Sequence, residues 1–215
     1  MNILIMGGPG AGKGTMSSKI VEKFNVDHIS TGNIFRAEVG SQTELGLEAK
    51  KYMDQGLLVP DSVTNPMVKS FLEKLENKNG FLLDGYPRTL QQAKVFDELT
   101  KGTDLAIDVV ITLDIPLEEL TARITGRRLC KGCDEIYHMT TKPSKQEGVC
   151  DVCGKELYQR KDDTVESLET RLDEYKNSTQ PVLSYYESKG LLVKIDASQS
   201  IEDVWNDTLK ALESK

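Results

Sequence analysis

Apolar positions fall along the chain in two rhythms that alternate. Short continuous runs occupy Asn2 to Met6, Phe81 to Asp84, Val109 to Leu113 and Leu191 to Ile195. Each is bounded by glycine or is rich in β-branched residues, and each reads as a buried strand. Between the runs, apolar residues recur every three or four positions, as at Met16, Ile20 and Phe24. That spacing predicts helices over 11–24, 63–75, 90–99, 117–124, 165–186 and 201–212. Strands that are apolar throughout, each followed by a helix, predict an α/β fold: a parallel sheet covered by helices on both faces. Trp205, the single tryptophan, is expected in the core under the last helix. No internal repeat or low-complexity linker interrupts the pattern.

One segment breaks it. From Arg127 to Asp163 the helical period disappears and Gly, Lys, Thr and Cys accumulate. This stretch is expected to be a small β-rich insertion. It holds all four cysteines, Cys130, Cys133, Cys150 and Cys153, spaced Cys-x2-Cys-x16-Cys-x2-Cys. Two close pairs, each on a tight turn helped by Gly132 and Gly154, suit four thiolates around one tetrahedral ion. The competing reading, two disulfides, is disfavoured in a chain without a secretory signal. Four protein ligands leave no open position, so the ion is expected to be structural zinc. His138 and His28 are read as packing or surface residues.

Composition narrows the partners. The chain has 215 residues, 28% of them charged, and 27 basic against 34 acidic residues leave a net charge of −7. An acidic surface disfavours nucleic acid and anionic membranes, whose phosphates need a positive field. No run is long enough for a membrane-spanning helix, so a cytoplasmic protein is expected. Only seven of the basic residues are Arg, the side chain whose planar fork suits phosphate.

The first strand runs into Gly7-Gly-Pro-Gly-Ala-Gly-Lys13-Gly-Thr15, and a helix follows. Strand, glycine-rich turn and helix in that order define a phosphate-binding P-loop. The glycines let successive N–H groups face one anion, and the helix N-terminus adds its dipole. Gly14 stands where many P-loops carry the Ser or Thr that ligates Mg²⁺.

That loop resembles the P-loop of adenylate kinases. Four further stretches resemble motifs of the same family: Ser30-Thr-Gly-Asn-Ile-Phe-Arg36, Leu83-Asp-Gly-Tyr-Pro-Arg-Thr89, Gly126-Arg-Arg128 and Arg160-Lys-Asp-Asp163. The four-cysteine segment is similar to the zinc-bearing lid of some bacterial members. The resemblance spans the chain in order. It implies a P-loop core of residues 1–29, 60–125 and 164–215, a helical NMP-binding insertion at 30–59 and a lid at 126–163. It implies reversible transfer of a phosphoryl group from Mg-ATP to AMP, giving two ADP, in a monomer. Gly10, Ala11, Gly12, Lys13, Gly14, Thr15, Arg127, Ile136, Tyr137 and Gln199 would contact ATP. Thr31, Arg36, Leu57, Leu58, Val59, Gly85, Tyr86, Pro87, Arg88, Gln92, Arg160 and Arg171 would surround AMP. Lys13, Arg88, Arg123, Arg127, Arg160 and Arg171 would act on the reacting phosphates, with Asp84 orienting the water shell of Mg²⁺. Two positions depart from the family: Asn33 where Asp is common, and Asp134 where Gly is frequent, which is expected to strain that cysteine turn.

The chemistry fits the residue types. Phosphoryl transfer needs positioning and charge stabilisation rather than a strong base, because the acceptor phosphate is already ionised near neutral pH. Six of the seven arginines, all but Arg128, match the phosphate-binding ring that the resemblance implies. Arg123 and Arg127, four apart, would share one helix face if the helix ran that far. Gln92 fits both a helix capping box opened by Thr89 and a contact to adenine. Two alternatives stay open: a kinase for another monophosphate such as UMP or CMP, and a nucleotide-switched zinc-knuckle protein binding single-stranded nucleic acid.

Overall fold

The computed structural model describes all residues from Met1 to Lys215. Five strands form one parallel sheet: β1 (Ile3–Gly7), β2 (Asp27–Ser30), β3 (Phe81–Asp84), β4 (Val109–Asp114) and β8 (Leu192–Asp196), in the order β2-β3-β1-β4-β8. Side chains alternate between its faces, and both faces are buried. Leu4, Met6, Phe81, Leu83 and Val110 point into one core, and Ile3, Ile5, Leu82, Val109, Ile111 and Leu113 into the other. That double burial is why these strands read as unbroken apolar runs.

Helices α1 (Lys13–Phe24) and α9 (Ile201–Glu213) cover the second face through Met16, Ile20, Val204 and Leu212. Helices α4 (Asp61–Leu72), α5 (Leu90–Thr100) and α8 (Gln180–Ser188) cover the first through Met67, Leu72, Phe96 and Tyr186. Trp205 is half-buried rather than in the core, with Lys19 Nζ 5.5 Å from its ring. The helix predicted over 165–186 is interrupted. It divides into α7 (Val165–Glu174), a π-helical turn at Tyr175–Thr179, and α8. Pro181 has no N–H to donate, and a π-helical turn at such a point is a feature found often beside functional sites.

Between β2 and α4 lie α2 (Thr31–Gly40) and α3 (Glu44–Met53), packed on each other. Their hydrophobic spacing is too short to read from sequence, as is the four-residue strand β2. Ser30 and Thr43 cap the two helices, accepting from Asn33 N and Gly46 N. The fit is tight at Gly46, where an added Cβ would lie 2.2 Å from Glu38 O.

Helix α6 (Leu117–Thr125) leads to a second, antiparallel sheet of β5 (Arg127–Cys130), β6 (Ile136–His138) and β7 (Leu157–Tyr158), the β-rich insertion that the sequence predicts. The seat of this sheet is the C-terminal end of α6, whose last carbonyls lack helical partners. Arg128 Nη1 and Gln159 Nε2 donate to Thr125 O at 3.1 and 3.3 Å, and His138 Nε2 lies 3.0 Å from Ala122 O. Arg128, the one arginine given no role on the phosphates, is thus a structural cap. Helix α6 ends before Arg127, so Arg123 and Arg127 do not share a helix face as expected; a turn and a strand bring them to one cavity instead.

Because the α2–α3 crossing has no room for a methyl group at Gly46, Gly46→Ala is expected to destabilise the protein by about 1–3 kcal/mol. Urea unfolding monitored by circular dichroism would measure this, and an unchanged midpoint would refute the tight crossing.

Candidate active site

The sheet's carboxyl edge is where the chain, having built toward β2 and β3, turns to β4 and β8. In open α/β sheets that edge is the ligand-binding crevice. A cavity of about 460 Å³ lies there. The turn after β1 forms one wall. Gly7, Gly10 and Gly12 have φ of 142°, 83° and 95°, values that L side chains rarely adopt. At Gly7 a Cβ would also meet Leu113 O at 2.7 Å. Lys13 opens α1 and folds back, donating to Gly7 O and Gly8 O at 2.8 and 2.9 Å. Gly14 has a steric reason: a Cβ there would lie 2.7 Å from Ile136 Cδ1, so the second sheet packs directly over the loop.

Cations from seven places in the chain meet in this cavity: Lys13, Arg36, Arg88, Arg123, Arg127, Arg160 and Arg171. Asp163, almost fully buried, pairs with Arg127. Asp162 accepts from Arg171 Nη1 at 3.1 Å, and Asp84 ends β3 inside the same space. Desolvation dominates the shifts of the cations. It lowers Lys13 to about 8, opposed by Asp84 and reinforced by repulsion from Arg88, Arg171 and Arg127. Arg36 falls to about 10, by burial and then by repulsion from Arg160. Arg171 also falls to about 10 despite Asp162, and Arg88 and Arg160 are lowered by the same withdrawal from water. The Nε of Arg160 is buried with no hydrogen-bond acceptor. An excess of crowded donors with an unpartnered N–H is a site built for a multiply charged anion.

Beside it is a smaller pocket of about 90 Å³, lined by Thr31, Arg36, Leu57, Leu58, Val59, Gly85, Arg88, Gln92 and Arg171 among others. Gly85 has φ of 84°, and a Cβ there would lie 2.7 Å from Thr31 Oγ1. Gln92 is buried, and Thr89 Oγ1 caps its N–H at 3.1 Å. Arg36 Nη2 donates to Asn33 Oδ1 at 2.5 Å, a neutral acceptor where a carboxylate would have offset its charge.

Most of the residues singled out from sequence line one of these spaces, but several side chains turn away. Ala11 is buried in the core. Tyr86 points into the first core, its hydroxyl donating to Asn65 Oδ1 at 2.8 Å. Pro87 lines a third small cavity behind the loop, with Glu174 and Tyr175. Gln199 is exposed, its amide donating to Asp196 O and Asp207 Oδ2, each at 3.1 Å. Tyr137 is buried on the opposite side of β6 from Ile136, where its hydroxyl accepts from Asp151 N at 2.8 Å and lies 3.6 Å from Cys150 Sγ. Sequence reasoning missed four groups. His28, read as packing or surface, lines the large cavity. Asp162 and Asp163 stood in a recognised motif without a role, and Asp61 carried no signal at all.

The four cysteines converge, all Sγ atoms lying within 4.8 Å of one another. The distances Cys130–Cys153 and Cys133–Cys150 are 3.2 and 3.6 Å, near the spacing of thiolates about 2.3 Å from one zinc ion. The two turns repeat each other. Cys130 N donates to Glu135 O at 3.0 Å and Cys150 N to Lys155 O at 2.9 Å. The residue after each second cysteine is left-handed, Gly154 at φ 72° and Asp134 at φ 57°. Asp134 thus takes the conformation that glycine takes in the paired turn, one that Asp adopts more readily than most side chains. Gly132, by contrast, needs no unusual φ; a Cβ there would lie 2.2 Å from Lys155 Cδ. The donor set and spacing fit structural zinc.

Comparison with known proteins agrees with this geometry. The family model described as adenylate kinase matches residues 5–191. The adenylate kinase of Desulforamulus reducens is 50% identical over 212 residues, 99% of this chain and all of that protein. Those of Carboxydothermus hydrogenoformans and Staphylococcus aureus are 49% and 48% identical over 213 residues, covering 99% of this chain and 100% and 99% of those proteins. With the phosphate loop, the converging arginines and the cysteine-held sheet in place, the matched model and the full-length relatives show that the chain belongs to the adenylate kinase family.

Proposed function

We propose that this enzyme transfers a phosphoryl group reversibly between ATP and AMP, giving two ADP. The observation that carries the reading is the convergence of Lys13 and six arginines on one cavity, with a second, smaller pocket opening beside it. Residues 1–29, 60–125 and 164–215 would be the core, 30–59 the AMP-binding insertion and 126–163 the lid. ATP would lie along Gly10, Gly12, Lys13, Gly14 and Thr15, under Ile136 and Arg127. Ala11 and Tyr137 would contribute only backbone, and Gln199 would have to swing inward from the surface. AMP would take the smaller pocket, its phosphate between Arg36, Arg88 and Arg171. Adenine would lie against Leu57, Leu58, Val59 and Gln92.

In this arrangement the transferred group sits between Lys13 and Arg88, Arg123, Arg127 and Arg160, which hold donor and acceptor oxygens in line and stabilise the spreading negative charge. Arg160 Nε gains the acceptor it lacks. Mg²⁺ bound with ATP would supply further charge neutralisation, and Asp84 would orient its water shell, a reading compatible with glycine at position 14. Closing the second sheet over the loop excludes water, the competing acceptor. Zinc held by Cys130, Cys133, Cys150 and Cys153 would stiffen a lid too small for a core of its own. No helix is long and apolar enough to cross a membrane. One chain supplies both pockets, which supports a monomer; it would act in the cytoplasm, on adenine nucleotide balance.

Three measurements test this. ADP formation from ATP should be orders of magnitude faster with AMP than with UMP or CMP, and should drop at least about a hundredfold in Lys13→Met and Arg88→Ala at unchanged circular dichroism. Near-normal turnover in either variant would sink the assignment.

The lowered pKa of Lys13 gives a pH dependence. Deprotonation above about pH 8 removes the loop's charge in the free enzyme. The kcat/KM for ATP should then fall roughly tenfold per pH unit above that point, while kcat, measured on the complex, holds to higher pH. A flat kcat/KM profile to pH 10 would contradict it.

Stripping the metal with a chelator under reducing conditions should cost about 3 kcal/mol, the value of closing a loop of this size, or roughly 6–12 °C of melting temperature. Activity should persist at low temperature. Complete inactivity of the folded, metal-free protein would overturn a purely structural role.

A further inference from the structure

The amide of Gln92 is held at both ends. Its Oε1 accepts from Arg88 N at 2.7 Å and its Nε2 donates to Asp61 Oδ1 at 2.7 Å. A backbone N–H is only a donor and an ionised carboxylate only an acceptor. The two partners therefore dictate the same orientation independently, whichever way an amide is first drawn. Flipping it would turn oxygen toward a carboxylate and NH₂ toward an N–H, leaving buried groups unpaired. Asp61 is itself anchored in the first turn of α4, where the helix dipole favours an anion. Thr89 Oγ1 lies 3.4 Å from its other oxygen.

Each end of the amide keeps one free hydrogen-bonding position: a lone pair on Oε1 and the second N–H on Nε2. Gln92 lines the smaller pocket, so these are what a base there would meet. Adenine carries a donor, its 6-amino group, flanked by acceptors at N1 and N7; a 6-oxopurine carries an acceptor at the same place. On either edge, adenine matches an amide fixed with Oε1 toward position 6, and hypoxanthine or guanine is mismatched.

We propose that Asp61 is a specificity-determining positioning residue: it locks the Gln92 amide in the orientation that accepts a 6-aminopurine monophosphate and rejects a 6-oxopurine one. This rests on AMP occupying the smaller pocket. Sites that reject a ligand by leaving buried polar groups unpaired discriminate strongly, and here the rejection depends on a residue that touches no substrate.

The test is acceptor selectivity. In Asp61→Asn the new side chain can turn either its oxygen or its NH₂ toward Gln92, so the carboxylate's veto on a flip is gone and only Arg88 N still opposes it. The ratio of kcat/KM for AMP to that for IMP, with IMP also scored as a competitor of AMP, should fall at least tenfold. KM for ATP should stay within twofold. Loss of AMP and IMP reactivity in equal proportion, with the ratio kept, would reduce Asp61 to a structural role and overturn the proposal. Asp61→Ser carries the same test if the first variant does not fold. Gln92→Leu in the unaltered background separates the two levels. A collapsed ratio there with an unchanged one in the Asp61 variants refutes the lock alone, whereas an unchanged ratio in Gln92→Leu removes the reading of the pocket as the AMP base site, and the lock with it.

Discussion

The structure depends on holding seven cations together. Two like charges about 6 Å apart repel by about 3 kcal/mol even at an effective dielectric constant near 20, and here Lys13 and six arginines share one cavity. Three carboxylates offset part of that. Asp163 is buried against Arg127, Asp162 meets Arg171, and Asp84 faces Lys13 and Arg88. Burial, and after it the remaining excess of positive charge, lowers the affinity of the cations for their own protons, and a buried Arg160 N–H is left without an acceptor. Such a cluster favours polyanions, and most of all a pair of nucleotides whose charge concentrates where one phosphoryl group moves.

The scaffold makes this tolerable by distributing the cations over separate elements. Lys13 comes from the start of α1, Arg36 from α2, Arg88 from the loop after β3, Arg123 from α6, Arg127 from β5 and Arg171 from α7, while Arg160 follows β7. No single element carries the full repulsion, and each element brings its own cation to the cavity. The second sheet, seated on the carbonyl end of α6 through Arg128, Gln159 and His138, is the clearest such unit. Its contact with the loop, Ile136 over Gly14, accounts for a glycine where other P-loops carry a hydroxyl. The acidic surface of the rest of the molecule is no obstacle, because buried charges are screened far less than exposed ones.

The fold was legible where one physical term dominated. Central strands buried on both faces, β1, β3 and β4, appear as unbroken apolar runs, and amphipathic helices such as α1 and α9 as a three-to-four spacing. It was illegible where several weak terms compete. Strand β2 has only Val26 and Ile29 to mark it, and α2 and α3 are fixed by caps and by a glycine contact rather than by a long apolar stripe. The π-helical turn at Tyr175–Thr179 has no periodic signature. Among site residues, the glycine loop and the cysteine pairs were legible because their spacing is local. Asp61 and His28 were not, because nothing near them in sequence announces the partners that lie across the fold.

The sequence by itself determined the α/β class, the phosphate loop, the cysteine cluster and the set of arginines, since each follows from local spacing, composition or motif. Only the tertiary structure decided which way those side chains face. It turned Tyr137 toward the cysteines and Tyr86 toward Asn65, placed Arg123 and Arg127 in one cavity without a shared helix, and set the amide of Gln92 between Arg88 and Asp61. The physical reason is that direction depends on hydrogen bonds and contacts between residues 13 to 36 positions apart, which a local pattern does not encode.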